Sequence, residues 1–201
     1  AEEAFAKLAE TAQNKEKAAE WRCWEAISLG MQEGKYEDGI ALAESIESRP
    51  YAVYAQIEIM YANNRFEAIR KNFTDVDITE WPEELIGKTA FLRGRAFSRS
   101  TQVRRKYGRK AMADFALCVK HLEPSQRMWP KSVNWLGSLQ REYKGDDAAL
   151  QTYREAFDVY DKGLRWRGTG YQGSTVRSAA EILMEKGKYQ DALAILTKYD
   201  I

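Results

Sequence analysis

A short turn pattern recurs along the chain and restricts its fold more than any other sequence feature. A glycine or asparagine is followed two residues later by an aromatic residue, which opens a new stretch of apolar residues spaced by three and four. Glycine and asparagine accept the left-handed backbone conformation that closes a helix, and this spacing places apolar side chains on one helix face. The pattern therefore predicts helical hairpins, in which small residues such as Gly39 let the paired helices approach. It occurs three times: Gly34 with Tyr36, Asn64 with Phe66, and Gly187 with Tyr189.

The rest of the sequence also favours helices. All four prolines, Pro50, Pro82, Pro124 and Pro130, lie at the ends of apolar-periodic segments, where a missing amide hydrogen does least harm. No run of alternating apolar and polar residues is bounded by hairpin turns, and no apolar run approaches the roughly 18 residues of a membrane span. With 44% apolar residues among 201, the chain has enough material for a core. We therefore expect a soluble, all-α protein without a membrane-spanning segment.

At these turns and at several helix positions the sequence resembles the tetratricopeptide repeat, a helix–turn–helix unit of about 34 residues. The matching positions carry the small, apolar and aromatic residues of that repeat: Leu136 and Gly137 in a first helix, and Ala111, Phe115, Cys118, Ala149, Tyr153 and Ala156 in second helices. The resemblance implies one domain over residues 1–201, a right-handed α-α superhelix of about five helical hairpins with an additional N-terminal helix. The expected hairpins span about residues 18–48, 51–74, 88–123, 131–162 and 174–199, with an insertion at 75–87.

Three places depart from the spacing of the family: the insertion at 75–87, the third hairpin, and Gly145, around which the fourth hairpin is one residue out of register and lacks the turn aromatic. Within the insertion, Thr79 is expected to cap a helix whose first turn contains Pro82. In the third hairpin, Gly108 lies close to Ala111, which predicts either a long first helix or a lengthened turn. The repeats are therefore degenerate, although their helical character is clear.

Groups that carry catalysis or bind metals are scarce in this sequence. The single histidine, His121, lies near the end of a predicted helix, where a solvent-facing or capping role is expected. Cys23 and Cys118 are 95 residues apart and predict two small buried side chains rather than a disulfide or a metal site. Adjacent carboxylates such as Glu83 and Glu84 face different directions on a helix and are expected to be solvated. We therefore expect no enzyme activity, no cofactor and no metal ion.

One glycine-rich string resembles a cofactor motif only in its spacing. Residues 168–173 satisfy the pattern of a dinucleotide-binding fingerprint, yet that fingerprint follows a strand and the segment before this string is a predicted helix. A connection between two hairpins is the simpler interpretation. Free amides at the start of the next helix, beside Arg165, Arg167 and Arg177, are nevertheless candidates for holding an anion.

Positive charge is concentrated in the middle of the chain. The net charge is only +1, but residues 88–110 contain nine lysines or arginines and no acidic residue. The first 87 residues carry 9 basic and 18 acidic residues. A solvated helix face and a ligand-binding surface both account for the basic segment.

In a superhelix of this kind the first helix of each hairpin lines the concave surface. With Gly94 and Gly137 as the residues that pack against the neighbouring helix, the predicted groove is aromatic at one end and basic at the other. Aromatic side chains supply contact area, and Arg or Lys with Asn grips a carboxylate. Packing between helices is the alternative role for the aromatic residues. The predicted groove residues are Trp21, Trp24, Tyr51, Tyr54, Tyr61, Lys88, Phe91, Arg95, Arg99, Lys131, Asn134, Arg141 and Arg177.

These observations favour a non-enzymatic protein–protein interaction module that binds a peptide or protein segment, with an acidic segment as the expected ligand. Nucleic-acid binding through residues 88–110 is an alternative, with Tyr107 and Trp129 as stacking candidates, although the near-zero net charge argues against it. A structural or accessory domain of a larger protein is the third hypothesis. The chain begins at Ala1 and lacks an evident capping helix, so origin from a longer chain, a cytoplasmic location, export after loss of a signal peptide, and self-association all stay open.

Overall fold

The computed structural model of the chain describes residues 1–162 and 170–201. These residues contain eleven α-helices and no strand, which confirms the prediction of an all-α protein. The glycine-rich string at 168–173 begins outside the described residues, and Arg165 and Arg167 lie there too. No helix in the described ranges is long and apolar enough to cross a membrane.

The helices fall into two compact units, Ala1–Phe97 and Ser98–Ile201. The first unit contains α1 (Glu2–Glu10), α2 (Lys15–Gly30), α3 (Tyr36–Glu44), α4 (Arg49–Ala62), α5 (Phe66–Phe73) and α6 (Glu83–Phe97). The second unit contains α7 (Thr101–His121), α8 (Met128–Lys144), α9 (Asp146–Asp161), α10 (Gly170–Glu185) and α11 (Tyr189–Lys198).

In the first unit, helices pack against neighbours along the chain. Each of α1 to α5 contacts the helix that follows it, α2 also contacts α4, and α4 also contacts α6. The helices α2, α4 and α6 therefore lie side by side, and α3 and α5 each pack across the junction between two of them. Apolar side chains such as Ala26, Ile57 and Ile69 are fully buried in this core.

The second unit repeats this arrangement of contacts. The helix α8 contacts α7, α9 and α10, while α10 contacts α9 and α11. The helix α9 thus packs across the junction of α8 and α10. The core of the second unit contains the fully buried side chains of Phe115, Leu139, Tyr153 and Ile182.

The predicted helix-ending turns have the expected backbone conformation. The φ angles of Gly34, Asn64 and Gly187 are 76°, 58° and 72°, all in the left-handed region. After the first of these turns, α3 passes so close to α2 that a Cβ atom on Gly39 would lie 2.3 Å from the Cα of Gly30. The left-handed turns and the close approach at Gly39 are therefore both confirmed.

The start of α6 differs from the sequence expectation. The helix begins at Glu83, inside the expected insertion, and the Pro82 carbonyl accepts hydrogen bonds of 2.9 and 3.3 Å from the amides three and four residues later. Pro82 thus precedes the helix instead of lying in its first turn. The Thr79 hydroxyl donates to a carboxylate oxygen of Asp77 at 2.7 Å and so forms a local turn rather than the predicted cap.

The expected irregularity near Gly108 is also wrong. The helix α7 runs through Gly108 without a break, and the chain turns earlier, at residues 98–100. A Cβ atom on Gly108 would lie 2.2 Å from the hydroxyl oxygen of Tyr143 in α8. Glycine at this position therefore makes room for a neighbouring ring and does not mark a turn.

One buried arginine fastens the segment between α5 and α6 to the first unit. Arg93 of α6 is 7% exposed and donates hydrogen bonds to the carbonyl oxygens of Phe73 at 3.4 Å and Val76 at 2.5 Å. Ile78, in the same segment, is buried as well. Arg93 belongs to the basic run at 88–110, but its burial removes it from any exposed basic surface.

Candidate functional site

Four of the predicted groove residues come together in the first unit. Trp24 of α2, Tyr51 and Tyr54 of α4, and Lys88 of α6 line a cleft of about 40 Å³. We call it the Trp24 cleft. The remaining polar groups of its wall are Glu20, Cys23 and Glu84.

The geometry of the Trp24 cleft combines aromatic rings with a cation and carboxylates. The rings of Trp24 and Tyr54 meet edge to face, with centroids 6.2 Å apart and planes at 81°. The Lys88 Nζ lies 5.7 Å from the centroid of the Trp24 ring, within the range of a cation–π contact. The Tyr51 hydroxyl donates a hydrogen bond of 3.0 Å to Glu84. Side chains from three helices are therefore held in one small volume.

Burial sets the protonation of the groups in this cleft. Tyr51 and Tyr54 are 4% and 3% exposed, and burial is the main cause that raises the pKa of both phenols, with the charges of Glu84 and Glu58 adding to it. Burial likewise raises the pKa of the Cys23 thiol to about 12. The hydroxyls therefore act as neutral donors at physiological pH, and the thiol stays protonated and is a poor nucleophile.

Glu58 of α4 lies beside the cleft and is the carboxylate most affected by burial. Burial raises the pKa of Glu58, while a hydrogen bond with Tyr54 and the charge of Lys88 act in the opposite direction. The folded protein therefore holds this proton more tightly than the unfolded chain does. The stability that results is fully present below the unfolded-state pKa and is lost as the pH rises through the folded-state pKa.

Glu58→Gln is expected to reduce this loss, because an amide has the same shape and no charge to desolvate. The variant should be more stable than the wild type near pH 7 and should show a smaller decline in stability above about pH 4. Urea unfolding midpoints measured across this pH range check the prediction. Glu67→Gln, at an exposed carboxylate of α5, is the matched control and should follow the wild-type profile. If the stability of Glu58→Gln and of the wild type changes with pH in the same way, burial does not raise the pKa of Glu58.

The other aromatic groove residues of the first unit are engaged in packing. Trp21 stacks on Phe5 of α1, with ring centroids 6.0 Å apart, and Tyr61 packs edge to face on Phe66 at 5.4 Å. Phe91 is buried in α6 with 6% exposure. These side chains therefore offer little free surface, and the packing alternative accounts for them. Arg95 is half-buried on the same helix.

The predicted groove residues of the second unit do not form one cluster with a common chemistry. Arg141 is paired with three carboxylates, at 3.0 Å from Asp146, 3.7 Å from Glu181 and in direct contact with Glu185. The hydrogen bond to Glu185 is the main cause that raises the pKa of Arg141. Its charge is thus already balanced by α9 and α10. Lys131 and Asn134 are half-buried, whereas Arg99 and Arg177 are exposed.

A basic surface lies on α7. The exposed face of this helix, which we call the α7 basic face, carries five cations: Arg105, Lys106, Arg109, Lys110 and Lys120. The only acidic residue of α7, Asp114, points into the core and is 2% exposed. Arg104 lies off this face and pairs with Glu142 of α8 at 3.5 Å. Within the described residues, Arg105, Lys106 and Arg109 take part in no ion pair.

One of the two stacking candidates for nucleic acid is not available at the surface. Trp129 is 4% exposed, and its indole nitrogen donates a hydrogen bond of 3.2 Å to the carbonyl oxygen of Val119. Tyr107 is half-buried beside Lys106, whose Nζ lies 5.1 Å from its ring centroid. The surface near α7 is therefore rich in charge and poor in exposed aromatic rings.

Sequence reasoning missed part of the Trp24 cleft. Glu84 was expected to be a solvated member of an acidic pair, and it is exposed, but its carboxylate also accepts the hydrogen bond of Tyr51 at the cleft. A signal for it exists, because Glu84 lies one helical turn before Lys88 and so shares its face. In the described ranges, no three His, Cys, Asp or Glu side chains are arranged to hold a metal ion.

A wider groove of about 560 Å³ runs between α2 and α3. Its floor is apolar, formed by Ala18, Ala19, Leu42 and Ile46, and its rim carries the exposed pair of Lys15 and Glu47 at 3.6 Å. None of the predicted groove residues lines it. The Trp24 cleft and the α7 basic face are therefore the better candidate sites.

The chain was compared with protein-family models, with curated proteins and with solved structures. No family model matches it, and neither a curated protein nor a solved structure matches it significantly.

Proposed function

We propose that the chain is a non-enzymatic protein-binding module of the tetratricopeptide-repeat kind, and that its α7 basic face binds an acidic segment of a partner protein. The repeat architecture is supported by the packing of first helices side by side, α2 with α4 and α6 in one unit and α8 with α10 in the other. It is also supported by the left-handed turns at Gly34, Asn64 and Gly187. The groove inferred from the sequence stays a prediction.

The observation that carries the binding proposal is the concentration of positive charge on α7, where Arg105, Lys106 and Arg109 form no ion pair with another described residue. Like charges three and four residues apart on a helix, such as Arg105 with Arg109, destabilise it by about 0.2–0.5 kcal/mol per pair. The α7 basic face keeps several such pairs without a carboxylate among them. An acidic partner relieves this repulsion and gains charge-assisted hydrogen bonds from the arginines.

A protein segment suits this face better than a nucleic acid does. Single-stranded nucleic acids are held by basic grooves with exposed aromatic rings that stack on the bases, and Trp129 is buried. Ala113 and Ala116 are exposed beside the cations and give a flat surface on which apolar side chains of a peptide can lie.

Charge reversal on the α7 basic face is expected to abolish binding. The probe is a fluorescein-labelled peptide of about 20 residues with alternating glutamate and leucine or alanine, followed by anisotropy at about 0.15 M salt, where long-range effects are screened. Arg105→Glu/Arg109→Glu should weaken its binding at least about tenfold, because two close charge pairs are lost and two repulsions are added.

The matched control reverses two exposed lysines of the same unit and changes the net charge equally. Lys162→Glu/Lys188→Glu should bind the peptide like the wild type, because neither lysine lies on the α7 basic face. Equal losses in both variants would show that net charge, and not this face, attracts the peptide. A single-stranded oligonucleotide of the same charge that binds more tightly, in an Arg105-dependent manner, would favour nucleic acid instead.

A further inference from the structure

The Trp24 cleft is lined by aromatic rings and carboxylates, which play no part in the proposed binding of an acidic segment to α7. Its walls are the rings of Trp24, Tyr51 and Tyr54 together with carboxylates from α2 and α6. Aromatic faces with adjacent carboxylates attract cations, because the negative face of the ring and the anion act on the same charge. The surface on α7, by contrast, attracts anions.

One carboxylate of the cleft wall is held in position by a neutral donor. The Tyr51 hydroxyl donates to Glu84 at 3.0 Å. This bond uses only part of the acceptor capacity of the carboxylate, which offers about four lone-pair positions. The remaining positions can accept hydrogen bonds from a cation that enters the cleft.

A cation of this chain already occupies one side of the cleft. The ammonium group of Lys88 lies 5.7 Å from the Trp24 ring centroid, and its charge acts on Glu58. Three carboxylates surround this region, Glu20, Glu58 and Glu84. Among the residues that the structure describes, one further lysine reaches them: the Nζ of Lys17 lies 2.6 Å from Glu20. The carboxylates therefore exceed the cations by one in this region.

The remaining space has the size of a small head group. The cleft volume of about 40 Å³ slightly exceeds the share of one water molecule in the liquid, about 30 Å³. This space has room for a primary ammonium group, which can donate three hydrogen bonds to nearby acceptors, whereas a trimethylated ammonium donates none.

We propose that the Trp24 cleft binds a primary alkylammonium group, which competes with the side chain of Lys88 for the same aromatic and carboxylate surface. The ammonium nitrogen donates to Glu84 and Glu20, the two carboxylates of the cleft wall, while its methylene lies against Trp24. The group is supplied either by a lysine side chain of a partner protein or by a free small amine.

The test follows the indole N–H resonance of Trp24 by two-dimensional NMR during titration with n-butylammonium chloride. Trp24→Phe identifies this resonance among the six tryptophans of the chain. In the wild type we expect a dissociation constant on the order of 10 mM, since the ligand is small and Lys88 competes with it. Lys88→Ala removes the competitor and should bind butylammonium about tenfold more tightly.

Lys106→Ala is the matched control, because Lys106 of α7 also lies over an aromatic ring, Tyr107 at 5.1 Å, and has no part in the cleft. It should leave the response of Trp24 at the wild-type level. Lys88→Met keeps most of the side-chain packing and replaces Lys88→Ala if circular dichroism shows that the alanine variant is not folded. An unmoved Trp24 resonance in the folded Lys88 variant overturns the proposal.

Further ligands separate the possible outcomes. Nα-acetyl-lysine amide that moves the Trp24 resonance supports a lysine side chain as the ligand, whereas a response to butylammonium alone supports a free amine. Tetramethylammonium and sodium chloride should have no effect at equal concentration. An equal response to either salt would mean general screening of charge and would also overturn the proposal.

Discussion

Gly39→Ala is expected to destabilise the first unit by about 2–3 kcal/mol, although alanine favours helices by about 1 kcal/mol over glycine. The added Cβ would lie 2.3 Å from the Cα and 2.5 Å from the amide nitrogen of Gly30, and 3.0 Å from the carbonyl oxygen of Ala26. All three are backbone atoms, so no side chain can rotate away. The helices α2 and α3 must therefore move apart, and the contacts along their whole interface weaken.

Thermal and urea unfolding followed by circular dichroism measure this effect. A loss of this size lowers the melting temperature by about 5–10 °C in a protein of this length. Gly170→Ala is the matched control, since no atom of the described residues lies within 4 Å of its added Cβ, and it should leave the melting temperature nearly unchanged. A Gly39→Ala protein as stable as the wild type would mean that α2 and α3 are not in contact at this point.

Arg93→Met is expected to cost about 2–4 kcal/mol and to loosen the segment between α5 and α6. The substitution keeps an unbranched side chain but removes the donors to the carbonyl oxygens of Phe73 and Val76. Buried acceptors that lose a charged donor carry a large desolvation penalty. Amide hydrogen exchange in residues 74–82 should become faster, and limited proteolysis should cut there first.

The effect should depend on the buried donors and not on the loss of one positive charge. Arg105→Met removes an exposed arginine of α7 and should change the stability by no more than about 0.5 kcal/mol. Arg93→Lys keeps the charge with fewer donors and should lie between the wild type and Arg93→Met. If Arg93→Met and Arg105→Met have the same stability, the carbonyl contacts of Arg93 contribute nothing.

The helices were largely predictable because the local sequence determines where several of them end. A glycine or asparagine at positive φ ends a helix for reasons of backbone sterics alone, so Gly34, Asn64 and Gly187 mark turns without knowledge of the rest of the fold. The same reasoning gave a wrong prediction at Gly108, because a glycine can also make room for a side chain of a neighbouring helix. The need for glycine there comes from Tyr143, which lies far away in the sequence.

The Trp24 cleft was partly predictable for a similar reason. Tyr51 and Tyr54 are three residues apart on α4, so their shared face could be read from the sequence. The burial of these side chains could not be predicted from the sequence, since it depends on which neighbouring helix covers each helix face. Arg93 shows the difference: its place in a basic run suggests an exposed surface, but its partners are backbone carbonyls of a distant segment.

The packing of each helix against chain neighbours also has a consequence for how the protein folds. Within each unit, the contacts join helices that are one or two elements apart along the chain. Such a chain closes only short loops while folding, and a low contact order of this kind gives fast folding. A hairpin such as α2 and α3 can therefore form early and serve as the template on which the next helix docks.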